Sequence, residues 1–461
     1  PTKKTAPPPP PPRLSALILS SSFLTRWRHE SRQMYVNATC TCGNRVAFSP
    51  SRIVASTTLF SMLLLAIWCL AAIGVAGPAF ADKPFPSDAS REWTCPPNWL
   101  RGAPAPAGFH RSISDLNAVH VNHSLVAIVP EVAELSNIAV ILVKRRYHLD
   151  GRQDVVFRYF GNGEANFAIE TWSSSKIFSA MNGAGHLKSM CSAEPRAGLP
   201  QSTSGDYGVT PLGDLVTIIV TYDTTHPPYS SNALGGWFEM VGGRDRAVWL
   251  VDTWLNRTGE SIGANYGNPP PTDLTFNFTN PGPCNITPDS ADNGDNSNTL
   301  SALTAAELVK RIALVREAPD EALPNTTWAD TKQLFYGAGA TASRLFPGRV
   351  WGGMSANDAD SLRLGVNITD MESRSRGRYR TFSKDGAGYS FIRLAGELLF
   401  NGYACYPVVG PRDDPSIEVG VEYFVSSRVS VPGDRTLSKA SVRFVAAMTA
   451  LNQAILAGKL S

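Results

Sequence analysis

Strand-like patterning occupies the two ends of the chain's body and leaves its middle without it. Ile138–Val143 and Asp154–Phe160 are apolar runs joined across Asp150 and Gly151, and apolar runs meeting at a D-G turn are a hairpin signal. Comparable runs return only after Arg378, at Tyr379–Ser383, Gly388–Leu399 and Ile417–Val425. Between them, from Ser173 to about Asn367, the recognisable patterns are helical. Leu300–Ile312 carries apolar residues at helical spacing, with Thr304 to Glu307 as a capping-box candidate. A helix over Ser438–Leu456 closes the chain. Periodicity alone predicts an α+β protein, and residues 82–135 add only apolar patches around Leu125–Val132.

Residues 1–81 read as a leader rather than as part of that body. A proline run at Pro7–Pro12 and scattered basic residues precede an uncharged stretch from Ile53 to Ala81 with an apolar core around Leu59–Val75. Arg45 and Arg52 lie before that core, and Ala79, Phe80 and Ala81 match an A-x-A cleavage site ahead of Asp82. These are the parts of a secretory signal peptide in order, with cleavage after Ala81. The stretch is also long enough to serve as a retained membrane anchor. Met34 is a credible start, which makes residues 1–33 an over-extended frame.

The leader distorts the charge balance. Eight of the 42 Lys and Arg residues, but only Glu30 of the 39 acidic ones, fall within residues 1–81, so the remainder sits near −4 despite the +3 of the whole chain. The overall basic balance is therefore no argument for a nucleic-acid partner, and none is expected. Three cysteines lie in the leader (Cys40, Cys42, Cys69) and four beyond it (Cys95, Cys191, Cys284, Cys405). Four cysteines in an exported chain permit two disulfides in three pairings, or separate buried thiols. No histidine pair has metal-ligand spacing, and neither a metal nor a cofactor is expected.

Three short motifs carry chemistry. Ser173, Ser174, Ser175 and Lys176 match S-x-x-K where an alternating stretch gives way to a helical one. Residues three apart share a helix face, so a neutral Lys176 amine can act as general base toward the Ser173 hydroxyl. The bland readings are a helix N-cap serine and a surface lysine, but Trp172, Ile177 and Phe178 argue for an apolar setting. Ser230, Ser231 and Asn232 form S-x-N, which is also ordinary turn chemistry. Lys384, Asp385 and Gly386 form K-x-G, which could equally be a hairpin turn. A second S-x-N at Ser355–Asn357 lies too near Lys384 to fit the order.

This ordered trio resembles the serine β-lactamase and penicillin-binding protein superfamily, in particular its class A β-lactamase-like serine hydrolases, whose motifs are S-x-x-K, S-D-N and K-T-G. The resemblance covers most of the chain from about residue 100. It implies an α+β, three-layer α/β/α fold. An antiparallel sheet would be built from about 100–170 and 375–461, with a helical part at about 171–370 inserted between. It also implies Ser173 as nucleophile, Lys176 as base, Ser230 as proton shuttle and Asn232 as a ligand for the substrate amide. Lys384 would polarise Ser230 or meet a substrate carboxylate, and Gly386 would leave room for substrate. The N–H groups of Ser173 and Ala387 would form an oxyanion hole, at about 3 kcal/mol per donor. The implied substrate is a β-lactam or a cell-wall peptide, and the chain is expected to be an exported monomer without a cofactor. A D,D-peptidase, or a non-hydrolysing sensor kept at the membrane by its leader, would use the same motifs.

Two residues depart from the pattern. Asp385 stands where the family has Thr or Ser, and its carboxylate would repel an acidic substrate group. Glu260 is the candidate for the glutamate that activates the deacylating water, though it lacks the family's E-x-x-x-N surroundings.

Overall fold

The computed structural model describes residues 95–111, 116–190, 201–204, 208–211, 215–216, 219, 229–263, 266, 275–278, 284–286, 298–335, 380–409 and 418–460. All of them belong to one compact unit, Ala79–Ser461. The leader, its cleavage site, Met34, Cys191 and the second S-x-N lie outside the described residues.

The main sheet has five antiparallel strands in the order β2-β1-β11-β10-β9. Its members are β1 (Asn137–Tyr147), β2 (Gln153–Gly161), β9 (Arg380–Ser390), β10 (Ala395–Val409) and β11 (Glu418–Pro432). Strands from both ends of the described chain thus meet at the β1–β11 seam, where Ile141 faces Phe424 and Val140 faces Val425. The α+β fold, with its sheet drawn from both ends and a largely helical segment between, is the one the resemblance implies.

Alternation along β1 sends Ala139, Ile141 and Val143 to one face and Ile138, Val140 and Leu142 to the other. Both sets are buried, in two separate cores. That double burial is why β1 reads as a continuous apolar run. The second face is covered by α5 (Ser438–Leu456), whose Phe444, Ala447, Met448, Leu451, Ala454 and Ile455 recur at helical spacing and pack beside Phe400, Tyr423 and Val425. The first face is covered by α3 (Ala302–Ala313), and α1 (Lys176–Met190) and α2 (Ser231–Gly242), packed on each other, extend the same core. Each fully buried Leu, Ile, Phe or Met in these layers is worth roughly 1.5–3 kcal/mol. A further helix, α4 (Trp328–Phe335), is tied to α1 by a buried Lys188–Asp330 ion pair at 2.6 Å.

Three local expectations need correction. Helix α3 begins at Ala302 and its N-cap is Ser301, whose hydroxyl accepts from the Thr304 amide, so Thr304 is not the cap. Glu307, the other half of the expected box, is instead buried with Lys310 and Arg311. The expected strand Gly388–Leu399 is two strands, broken at residues 391–394, where the β9–β10 chain reverses. The intervening segment is not helical throughout. It holds a four-stranded sheet, β5-β4-β6-β7, from Gln201–Ser204 (β4), Gly208–Pro211 (β5), Thr275–Phe278 (β6) and Cys284–Ile286 (β7). It also holds a two-stranded ribbon of β3 (Ile169–Glu170) and β8 (Thr299–Leu300).

One cysteine pairing is resolved: Cys95 and Cys405 form a disulfide that ties the segment before β1 to β10. Asn98 reinforces the tie by donating to Val143 and Gly420 carbonyls at 2.9 and 3.0 Å.

Candidate functional site

The S-x-x-K motif sits where ribbon strand β3 hands over to α1. Trp172–Ser175 is a 3₁₀ turn, and the α-helix starts at Lys176, so Ser173 precedes the helix rather than opening it. Trp172 has a φ of +50°, which bars a right-handed helix from continuing back through it toward β3. In a 3₁₀ turn residues i and i+3 eclipse, so Ser173 and Lys176 still share a side.

Asn298, the residue before β8, binds this turn at several points. Its Oδ1 accepts from Thr171 Oγ1 and Ser175 Oγ, each at 2.7 Å, and its Nδ2 donates to the Trp172 carbonyl at 2.8 Å. The short β3–β8 ribbon exists to bring Asn298 to that turn, since the Thr171 amide continues the ladder onto the Asn298 carbonyl at 2.9 Å.

Lys176 is fully buried where α1 packs on α2. Its ammonium nitrogen donates to Asn232 Oδ1 at 2.5 Å and to Ser231 Oγ at 3.2 Å, and it lies 5.0 Å from the Tyr266 ring centre. Burial lowers its pKa to about 7. The first and second motifs therefore meet through Lys176.

The third motif meets the first through backbone. Lys384, Asp385 and Gly386 lie within strand β9, the sheet's edge, and not in a hairpin turn. Gly386 is buried against the serine turn: a Cβ there would come within 2.8 Å of the Ser173 and Ser174 nitrogens and 2.9 Å of the Thr171 carbonyl oxygen. Only glycine permits that approach. Asn401, across from Lys384 on β10, donates to the Ser174 carbonyl at 3.1 Å and clamps the turn to the sheet. Ala387, one residue beyond Gly386, is exposed at the edge.

Other expected site residues have different surroundings. Ser230 is the N-cap of α2, its hydroxyl accepting from the Ala233 amide at 3.1 Å. The Ser231 hydroxyl accepts from Lys176 at 3.2 Å and donates to the Ile219 carbonyl at 2.8 Å. Lys384 is fully buried, and its ammonium donates to the Asp385 carbonyl at 2.7 Å and pairs with the Asp385 carboxylate at 3.2 Å. Glu260 is tied to Arg257 at 2.7 Å and accepts from the Ser301 amide at 2.8 Å, which makes it part of the start of α3 rather than a partner of Ser173 or Lys176.

Two neighbours of the site lie in no motif. Asn298 and Tyr266 join it only through the fold. The Tyr266 hydroxyl bonds Ser175 Oγ at 2.8 Å and Ser179 Oγ at 3.3 Å, and burial together with the nearby Glu239 carboxylate pushes its pKa well above the ordinary phenol value. It is a neutral phenol at any working pH. Among the described residues no group of three or more His, Cys, Asp and Glu could hold a metal, and no helix is long and apolar enough to cross a membrane.

No protein-family model matches the sequence, and no curated protein does. Solved structures similar to the chain include a β-lactamase from Burkholderia vietnamiensis, at 9% identity and a TM-score of 0.36, covering 73% of this chain and 97% of that one. A class A β-lactamase from Mycobacterium abscessus aligns at 12% identity and a TM-score of 0.34, covering 71% and 97%. A peptidoglycan synthetase from Bifidobacterium adolescentis aligns at 8% identity and a TM-score of 0.23, covering 71% and 58%. Identities and scores this low say nothing about chemistry, which rests on the residues of the site.

Proposed function

We propose that the chain is an exported serine hydrolase that works through an acyl-enzyme on Ser173, with a β-lactam or a related amide as substrate. The observation that carries this reading is the state of Lys176. It is buried where α1 packs on α2, it donates to Asn232 Oδ1 and Ser231 Oγ, and its pKa of about 7 makes the neutral amine abundant near neutrality. A neutral amine is a proton acceptor, and this one stands one 3₁₀ turn from Ser173.

In this mechanism Ser173 Oγ attacks the amide carbonyl carbon while its proton passes to Lys176 Nζ. Negative charge develops on the carbonyl oxygen, which the Ser173 and Ala387 N–H groups would receive at the strand edge beside Gly386. Collapse breaks the C–N bond, and the leaving nitrogen takes the proton from Lys176, through the Ser230 hydroxyl or directly. An ester of Ser173 remains.

How that ester is released separates the two main readings. Hydrolysis needs a base for water. Glu260 is engaged with Arg257 and Ser301, while the buried Glu239 carboxylate lies beside Ser179 and Tyr266. Slow release of the ester would give the second reading, a D,D-peptidase or sensor that holds β-lactams as stable adducts. Export is supported by the leader and by the Cys95–Cys405 disulfide, which an oxidising compartment sustains.

Incubation of the purified chain with a chromogenic β-lactam, followed by colour and intact mass over time, tests the reading. Multiple turnovers support a β-lactamase, and a persistent single adduct supports the peptidase or sensor. No reaction with β-lactams, cell-wall peptides or simple amides refutes an acyl-transfer site.

A further inference from the structure

We infer that Trp172 and Glu397 form a clasp that sets the position of Ser173, so that both are positioning residues for its acylation; this rests on the reading of Ser173 as nucleophile. Trp172 is the residue immediately before Ser173, and it adopts φ +50°, a left-handed conformation that a bulky side chain holds only when its surroundings impose it.

Those surroundings are specific. The indole ring lies on Gly388 of β9, where a Cβ would come within 2.6 Å of the ring carbons. The indole N–H donates to Glu397 Oε2 at 3.0 Å, and Glu397 stands directly across from Gly388 on β10. The Glu397 carboxylate is fully buried and fixed from two further elements. Arg393 of the β9–β10 turn donates to both its oxygens at 2.6 and 2.8 Å, while Arg428 and Ser430 of β11 reach Oε1 at 2.5 and 3.2 Å. Arg393 also binds Glu170, the last residue of β3, at 3.0 Å. A carboxylate held by two guanidinium groups has little freedom, and it passes that rigidity to the indole.

The Trp172 carbonyl is meanwhile bound by Asn298 Nδ2. Trp172 is thus fixed by side chain on one side and by backbone on the other. The peptide plane that carries the Ser173 N–H, and the Cα–Cβ direction of Ser173, follow from those two anchors. A residue that only stabilised the fold would have no reason to sit on the strained position next to the nucleophile and against the same strand as Gly386.

Trp172→Phe tests the clasp, because it keeps the ring on Gly388 and leaves the ion cluster intact while deleting the N–H. The purified chain and variant are labelled with a fluorescent penicillin and, in parallel, with its carboxyl-esterified form. The limiting rate of adduct formation, the half-saturating concentration, the final labelled fraction and the melting temperature are measured together. The expected result is a limiting rate lowered about tenfold or more, the scale of one hydrogen bond to a charged group, with half-saturation and labelled fraction unchanged. Should the variant be poorly folded, Glu397→Gln, which keeps an acceptor for the indole but loosens its grip by the arginines, is expected to show the same split in its folded fraction.

Labelling of the parent chain at Ser173 with an unchanged limiting rate in both variants overturns the clasp alone. A smaller labelled fraction that reacts at the parent rate does the same, since it marks a purely structural role. A parent chain that neither labels with nor turns over either probe overturns the nucleophile reading, and the clasp with it.

Discussion

The Lys176 ammonium nitrogen stands 2.5 Å from Asn232 Oδ1, across the packed faces of two buried helices. An amide oxygen is an acceptor only, so it stabilises an N–H of Lys176 in either protonation state without adding a charge. Burial penalises the charged form of the lysine, and the pKa falls to about 7. A carboxylate in place of Asn232 would hold the amine protonated and defeat its use as a base.

Acylation is expected to rise with pH through about 7 and then level off, as Lys176 sheds its proton. Stability has a definite sign here. Between about 7 and the ordinary lysine value of 10.5 the unfolded chain binds the proton that the folded chain has released, so this group's contribution to stability rises with pH in that window; below 7 the cost of burying the charge is complete. Lys176→Met should therefore melt higher than the parent at pH 6 while acylating roughly 10²–10⁴-fold more slowly. Labelling rates and melting temperatures at pH 5–9 check both.

The Lys384–Asp385 pair predicts a preference among substrates. With the ammonium 3.2 Å from its neighbour's carboxylate, the pair itself adds no net charge to attract an anionic substrate. Asp385→Thr should tighten half-saturation by penicillins bearing a free carboxylate about tenfold, the effect of removing one close like charge worth roughly 1.4 kcal/mol, and should leave their esters unaffected. Equal effects on acid and ester would mean that the side chain does not meet the substrate.

The Cys95–Cys405 disulfide closes a loop with a sequence separation of 310 and pins the first described segment to the middle of the sheet. Replacing both cysteines by alanine should cost about 2–4 kcal/mol. Thermal and denaturant unfolding of the non-reduced parent and the double variant measure this, and reductant should lower the parent more than the variant.

The strands of the main sheet were legible because their constraints are local. Ile138–Val143 is apolar on both faces since both faces of β1 are covered, and α5 shows its spacing because one side of it meets the sheet. The break at residues 391–394 was hidden, because Phe391, Ile392 and Leu394 are apolar yet exposed, so hydrophobicity did not mark the turn. Within the site, Lys176 and Gly386 stood out through short-range motifs. Asn298, Tyr266 and Glu397 did not, because each acts on the serine turn from tens of residues away or more, and no spacing encodes such a contact. Ser231 meets Lys176 as the first residue of α2, while Ser230 serves as the N-cap of that helix.

The central claim is that Ser173 carries the acyl group. The most direct measurement is peptide mapping by mass spectrometry of the purified chain after exposure to a penicillin, beside a Ser173→Ala control. The account predicts one adduct, on the peptide containing Ser173, and none in the control with its fold unchanged. An adduct that persists in Ser173→Ala, or that maps to another residue, would contradict it.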